Sequence, residues 1–131
     1  MSSTAPGDQQ STIFRPAGLS YLRIPAPDPH QTARFYAAVF GWTVDLNRSH
    51  PSFEDGTGHV IGHFIGDLAV AGETGVRPYI YVDSVDDAIQ KISSNGGAVV
   101  ETPSPEGNLW VATFRDPAGN VLGIWQRGPR A

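Results

Sequence analysis

Residues 28–42 read DPHQTARFYAAVFGW, and residues 84–97 read SVDDAIQKISSNGG. The first stretch opens with Asp28, suited to accept backbone N–H bonds as an N-cap, followed by Pro29 at the first helical position. Phe35, Tyr36, Val39 and Phe40 then share one helical face, and Gly41 supplies the stop. The second has the same plan: Ser84 caps, Asp87 stands three residues on as its capping-box partner, Val85, Ala88, Ile89 and Ile92 form the apolar face, and Gly97 ends the unit. From Asp28 to Ser84 and from Gly41 to Gly97 the offset is 56. A repeat is therefore present. The same offset aligns the extended stretches that precede the helices, Tyr21 to Pro25 and Arg77 to Val82, so that Tyr21 matches Arg77, Arg23 matches Tyr79 and Ile24 matches Ile80.

Three strand-like segments follow each helix. In the first half these are Trp42 to Leu46, His59 to Ile65 and Leu68 to Gly72; in the second, Ala98 to Glu101, Leu109 to Arg115 and Val121 to Gln126. Turn residues Gly66-Asp67 and Asp116-Pro117-Ala118-Gly119-Asn120 separate the last two in each half. Both halves read β-α-β-β-β. The expected fold is α+β: two tandem βαβββ modules building a curved eight-stranded mixed sheet with helices outside and a concave cup inside, where a small ligand would lie. Module one takes residues 18–73 and module two residues 77–127 of a single domain, 18–127. Residues 1–17, rich in Ser, Thr, Pro, Gly and Gln, form an N-terminal arm, and residues 128–131 a tail.

Composition narrows the chemistry. The 131 residues include 9 Lys plus Arg against 13 Asp plus Glu, a formal charge of −4, with no block of like charge. No nucleic-acid surface is expected, because counterion release needs clustered cations. The absence of Cys removes thiolate metal sites, disulfides and thiol nucleophiles, leaving four His as the soft ligands. The longest apolar run, around Ala37 to Trp42, is far short of the roughly 20 residues that span a bilayer, so no membrane partner is expected. No basic start followed by an apolar stretch opens the chain, which reads as cytoplasmic.

The elements Ile24-Pro25-Ala26-Pro27-Asp28, Phe35-Tyr36, Val39-Phe40-Gly41-Trp42, Val82-Asp83-Ser84-Val85-Asp86, Gly96-Gly97 and Phe114-Arg115-Asp116-Pro117-Ala118-Gly119-Asn120 occur in this order. In them the chain resembles the vicinal oxygen chelate superfamily, also called the glyoxalase/bleomycin-resistance/dioxygenase superfamily, over residues 19–127. The resemblance implies the two-module cup. In metal-dependent members it also implies a divalent ion held by His, Gln or Glu from the first and last strand of each module, polarising substrate oxygens. Carried onto this chain, those positions fall on Tyr21, Val70, Arg77 and Gly123. None is an ordinary ligand, and Arg77 opposes a cation. No metal site and no cofactor are expected.

Alternation along the strands places Tyr21, Arg23, Arg77, Tyr79, Tyr81, Gly123 and Trp125 toward the cup. Arg and aromatic side chains suit a flat aromatic or carboxylate-bearing ligand through stacking and bidentate hydrogen bonds. For Tyr79 and Tyr81 the alternative is a core role, and for Arg77 a salt bridge at the module junction. Trp110, counted with the ligand-binding set, faces the cup or a partner chain. His59 and His63, on one strand face, are candidate acid/base groups with Glu73, although their separation of roughly 13 Å along a strand forbids a shared ion. The alternative is two partly exposed polar residues. The expected function is a small-molecule-binding protein without the family's metal; the alternative is a metal-independent isomerase, lyase or cyclase, and behind it a divalent-metal lyase or dioxygenase. Open sheet edges make a homodimer the expected assembly.

Overall fold

The computed structural model describes residues 12–130. Strand β1 (Tyr21–Pro25) leads into helix α1 (Pro29–Phe40) and then β2 (Thr43–Asp45), β3 (Ser52–Glu54) and β4 (Ile61–Ile65). The second half runs β5 (Tyr79–Tyr81), α2 (Val85–Ser94), β6 (Ala98–Glu106), β7 (Leu109–Arg115) and β8 (Val121–Arg127). The strands form two sheets of four, ordered β1-β4-β3-β2 and β5-β8-β7-β6, with β1 parallel to β4 and β5 parallel to β8. Each half is thus one βαβββ module. Strands β1 and β5 each have one ladder neighbour and so lie at sheet edges.

Local chemistry sets both helices. The Asp28 carboxylate accepts the Gln31 N–H at 3.2 Å, and Gly41, at φ 72°, closes α1 by donating to the Ala37 carbonyl. That backbone conformation is strained for other residues. In α2 the Ser84 hydroxyl accepts the Asp87 N–H, and the Val85 N–H reaches the buried Gln126 side chain on β8 at 2.8 Å. Helix α2 is thereby tied to its sheet before any apolar contact is counted.

The third strand of module one differs from the expected one. Residues 68–72 form no strand; instead Ser52–Glu54 pairs with both β2 and β4. Leu68 is exposed, so that apolar stretch has no sheet to join. The Asp55 carboxylate accepts the N–H groups of Thr57, Gly58 and Val60 and so builds the turn that joins β3 to β4. Of the arm assigned to residues 1–17, residues 1–11 lie outside the described residues; Thr12 donates to the Gly58 carbonyl and Ile13 is buried.

The helix-facing sides of both sheets share one core. It joins Ile24, Phe35, Tyr36, Trp42, Phe53 and Phe64 of module one to Val85, Ile92, Ala112, Phe114, Leu122 and Ile124 of module two. Trp42 stacks between Tyr36 (4.6 Å) and Phe53 (4.8 Å), while Phe35 and Phe40 reach Phe114 on β7. Polar bonds fix the junction. The fully buried Tyr36 hydroxyl donates to Asp116 at 2.9 Å, and the Asn120 amide donates to the Pro25 carbonyl at 2.7 Å. Asp116 accepts five donors: Tyr36, the Asn120 side chain, and the N–H groups of Ala118, Gly119 and Asn120. Burial still pushes its carboxyl above the usual range, and burial with the neighbouring Asp116 pushes the Tyr36 phenol well up.

Removing one partner of such a bond leaves a buried group unsatisfied. Tyr36→Phe is therefore expected to cost about 1–3 kcal/mol in urea unfolding, and Asp116→Ala, which strands several buried donors, about 3 kcal/mol or more. A loss below about 0.5 kcal/mol for both would show that this junction is not a principal tie.

Candidate functional site

With their helix-facing sides committed to the core, the sheets present their other faces to solvent. Register gives the occupants. On module one, Arg23 lies opposite His63 and His63 opposite Ser52, with Tyr21 one alternation before Arg23. On module two, Tyr79 lies opposite Gly123, Tyr81 opposite Trp125, and Trp125 opposite Val111. Tyr21, Tyr79 and Tyr81 are 44%, 46% and 49% exposed, a high figure for large aromatic residues and too high for core packing.

Module two carries an aromatic shelf. Tyr81 meets the Trp125 ring edge-on at 4.8 Å, and its hydroxyl accepts the Arg127 N–H at 3.3 Å. The Tyr79 ring lies over Gly123 so closely that any Cβ there would overlap it. Arg77, just before β5, donates to the Glu73 carbonyl and lies 3.8 Å from Glu101, which in turn accepts from Thr113. The salt-bridge reading of Arg77 thus describes its contacts.

Module one is polar. The Tyr21 hydroxyl and His63 Nδ1 are 2.7 Å apart. A phenol is the stronger donor of the two, which assigns Nδ1 as acceptor and the ring hydrogen to Nε2. Burial first, then the charges of Arg48, Arg23 and His50, hold the imidazole below its ordinary 6.5. Among the described residues, Arg23 on this face has no hydrogen-bond or ion-pair partner.

Several expected site residues lie elsewhere. His59 precedes β4, in the turn held by Asp55, with its Nδ1 buried and unpartnered. It does not share the strand face of His63. Glu73, in the linker, pairs with Arg115 at 3.5 Å, so the acid/base trio of His59, His63 and Glu73 is not assembled. Trp110 alternates with Ala112 and Phe114 toward the core, under Arg130 at 5.2 Å, because it pairs with Gln126 in the same row as Ala112 with Ile124 and Phe114 with Leu122. Arg130 also binds Asp86 on α2.

The structure also corrects one position of the family's metal set. Since β4 is the last strand of module one, and Arg23 opposite His63 corresponds to Tyr79 opposite Gly123, the counterpart of Gly123 is His63, not Val70. The set becomes Tyr21, His63, Arg77 and Gly123. It does not fit a metal: the imidazole Nδ1 is engaged by Tyr21, Arg77 is cationic, and the Tyr79 ring fills the space a Gly123 side chain would need. Among the described residues no cluster of three or more His, Asp or Glu could hold an ion.

Two cavities follow the unpaired strand edges. One of about 660 Å³ runs along β5 and the start of α2, facing Phe40, Trp42 and Asp55. The other, about 170 Å³, runs along Leu22 to Pro25 of β1 beside Val76 and Val121.

Two βαβββ modules with their strand faces turned to solvent define a glyoxalase-type fold. The profile of the glyoxalase-like domain matches residues 21–124, and the chain belongs to this family. It is 27% identical to the anthracycline biosynthesis protein DnrV of Streptomyces peucetius, a similarity that covers 89% of this chain and 50% of that protein. It is 30% identical to a glyoxylase-like domain-containing protein of Didymella fabae over 60% of this chain and 68% of that one. The chain thus spans about half the length of the Streptomyces relative. Among solved structures, a glyoxalase/bleomycin resistance protein/dioxygenase family enzyme from Burkholderia phytofirmans aligns with TM-score 0.69 at 20% identity, over 85% of this chain and 99% of that one. The antibiotic-binding protein TnmS3 of Streptomyces sp. CB03234 aligns with TM-score 0.67 at 19% identity, over 85% and 96%. No helix among the described residues is long and apolar enough to cross a membrane.

The site's electrostatics are directly measurable. In histidine NMR titrations His63 is expected as the Nε2–H tautomer with a midpoint below 6.5, rising in Arg23→Gln. A folded value below the unfolded one means that this group's contribution to stability is full above the unfolded value and is lost as pH falls below it. A His63 midpoint above 6.5 would contradict the assigned surroundings.

Proposed function

We propose that the protein binds a flat aromatic, carboxylate-bearing small molecule in a cup lined by Tyr21, Arg23, Arg77, Tyr79, Tyr81 and Trp125, without the family's metal. The observation that carries this reading is the half-exposed tyrosine set on the two sheet faces left out of the core, with Trp125 beside it. Aromatic rings offer stacking area at low entropic cost, and an unpaired Arg recognises a carboxylate. The similarity to proteins named for antibiotic binding and anthracycline biosynthesis is in keeping with a polycyclic ligand.

The cup itself is incomplete in one chain. Among the described residues, no hydrogen bond, ion pair or ring contact joins the solvent face of module one to that of module two, and β1 and β5 both have open edges with a cavity alongside. The reading therefore includes a homodimer in which module one of one copy faces module two of the other, pairing the open edges and covering the exposed tyrosines. A second reading, a metal-independent isomerase, lyase or cyclase, is favoured by one feature, the Tyr21–His63 hydrogen bond.

The test is titration with 2-naphthoate, followed by tryptophan fluorescence and calorimetry. Trp125→Ala and Tyr81→Ala are each expected to weaken binding about tenfold or more, as aromatic anchors do. Unchanged affinity in both variants would remove the shelf from the binding site.

A further inference from the structure

The solvent face of module one holds a cross-strand row whose members have different partners. From β1 to β2 it reads Arg23, His63, Ser52 and Asp45. Asp45 is already occupied: its carboxylate accepts from Arg48 Nε at 3.2 Å and from the Asn47 N–H. Tyr21 takes His63 Nδ1. Among the described residues, what remains without a partner is one guanidinium, one imidazole Nε2–H and one serine hydroxyl, each able to donate, on neighbouring strands about 4.8 Å apart. A cationic guanidinium beside two further groups that can donate favours an anion, and the spacing of neighbouring strands lets the two oxygens of a carboxylate reach different members.

We propose that this row is an acid-group site, in which Arg23, the Nε2–H of His63 and the Ser52 hydroxyl hold the carboxylate of the ligand, and that His63 gains a proton as the anion binds. The inference rests on the aromatic-acid reading above and assigns the two halves of the ligand, the acid to module one and the ring system to the Tyr79–Tyr81–Trp125 shelf. In the free protein the imidazole faces Arg23 on β1, Arg48 and His50 beyond β2, and the phenol of Tyr21, with Glu54 of β3 one alternation away in the Tyr21 row. Burial and this positive surround disfavour its protonation. A bound carboxylate reverses the local charge and favours the imidazolium. Linkage then requires affinity to rise as pH falls toward the histidine range.

Three measurements on the full chain decide this, with 2-naphthoate as probe and neutral 2-naphthamide as its isostere. Naphthoate is expected to bind about five- to tenfold more tightly at pH 6 than at pH 8, while its own carboxyl, like that of Asp, stays ionised. His63→Gln is expected to abolish the slope, and Arg23→Gln to weaken naphthoate at least about fivefold more than the amide, with circular dichroism and unfolding midpoints showing that both variants are folded. If acid and amide bind equally, or His63→Gln keeps the slope, the acid-group site is overturned while the aromatic shelf stands. If neither probe binds, both readings fall.

Discussion

The buried bond from the Tyr36 hydroxyl to Asp116 is the constraint on which the rest of the arrangement depends. It joins a residue in the middle of α1 to the turn between β7 and β8, and the Asn120 amide in the same turn holds the Pro25 carbonyl at the end of β1. A carboxylate buried to this degree is costly unless several donors meet it, and here five do. Because these bonds draw the helix-facing sides of the two modules into one core, the opposite sheet faces are left to solvent. Function follows from that division. Apolar surface that a single module would need to cover is covered by its twin, and the faces that carry Arg, His and Tyr need not pack.

The helices and the repeat were legible in the sequence because their signals are local. Asp28, Ser84 and Gly41 each complete a hydrogen bond within four residues of themselves, so the caps and the offset of 56 could be read without any tertiary contact. Strand β3 was not legible. It has three residues and one buried side chain, Phe53, and it exists because β2 and β4 lie on either side of it. Assigning Leu68 to Gly72 in its place shifted the last strand of module one and put Val70 where His63 belongs.

Strand ends and strand pairing account for the other misplaced residues. A strand reveals which face meets the core only through its pairing with its neighbours, since one residue of slip in register exchanges the faces. Strand β4 begins at Ile61, which leaves His59 in the turn, and Trp110 pairs with Gln126 in the row of Ala112 with Ile124 and Phe114 with Leu122, which puts it on the core side. Tyr21, Arg23, Tyr79, Tyr81 and Trp125 lie on the sheet faces opposite the helices, where alternation predicts them, because the parallel pairs β1–β4 and β5–β8 keep the alignment of the repeat. The Tyr21–His63 bond had no sequence signal, since it joins residues 42 apart across two strands.

The two solvent faces are chemically unlike, polar on module one and aromatic on module two, and in the proposed homodimer they are two halves of one site completed by a second copy. Mixing tests this most directly. A chain carrying Arg23→Gln and His63→Gln is unfolded and refolded together with a chain carrying Trp125→Ala, and naphthoate binding is compared with that of each chain alone. Sites shared between copies predict that random pairing restores about a quarter of the wild-type sites, since each mixed dimer then has one intact pair of faces. A mixture that binds no better than its separate components would contradict the shared site.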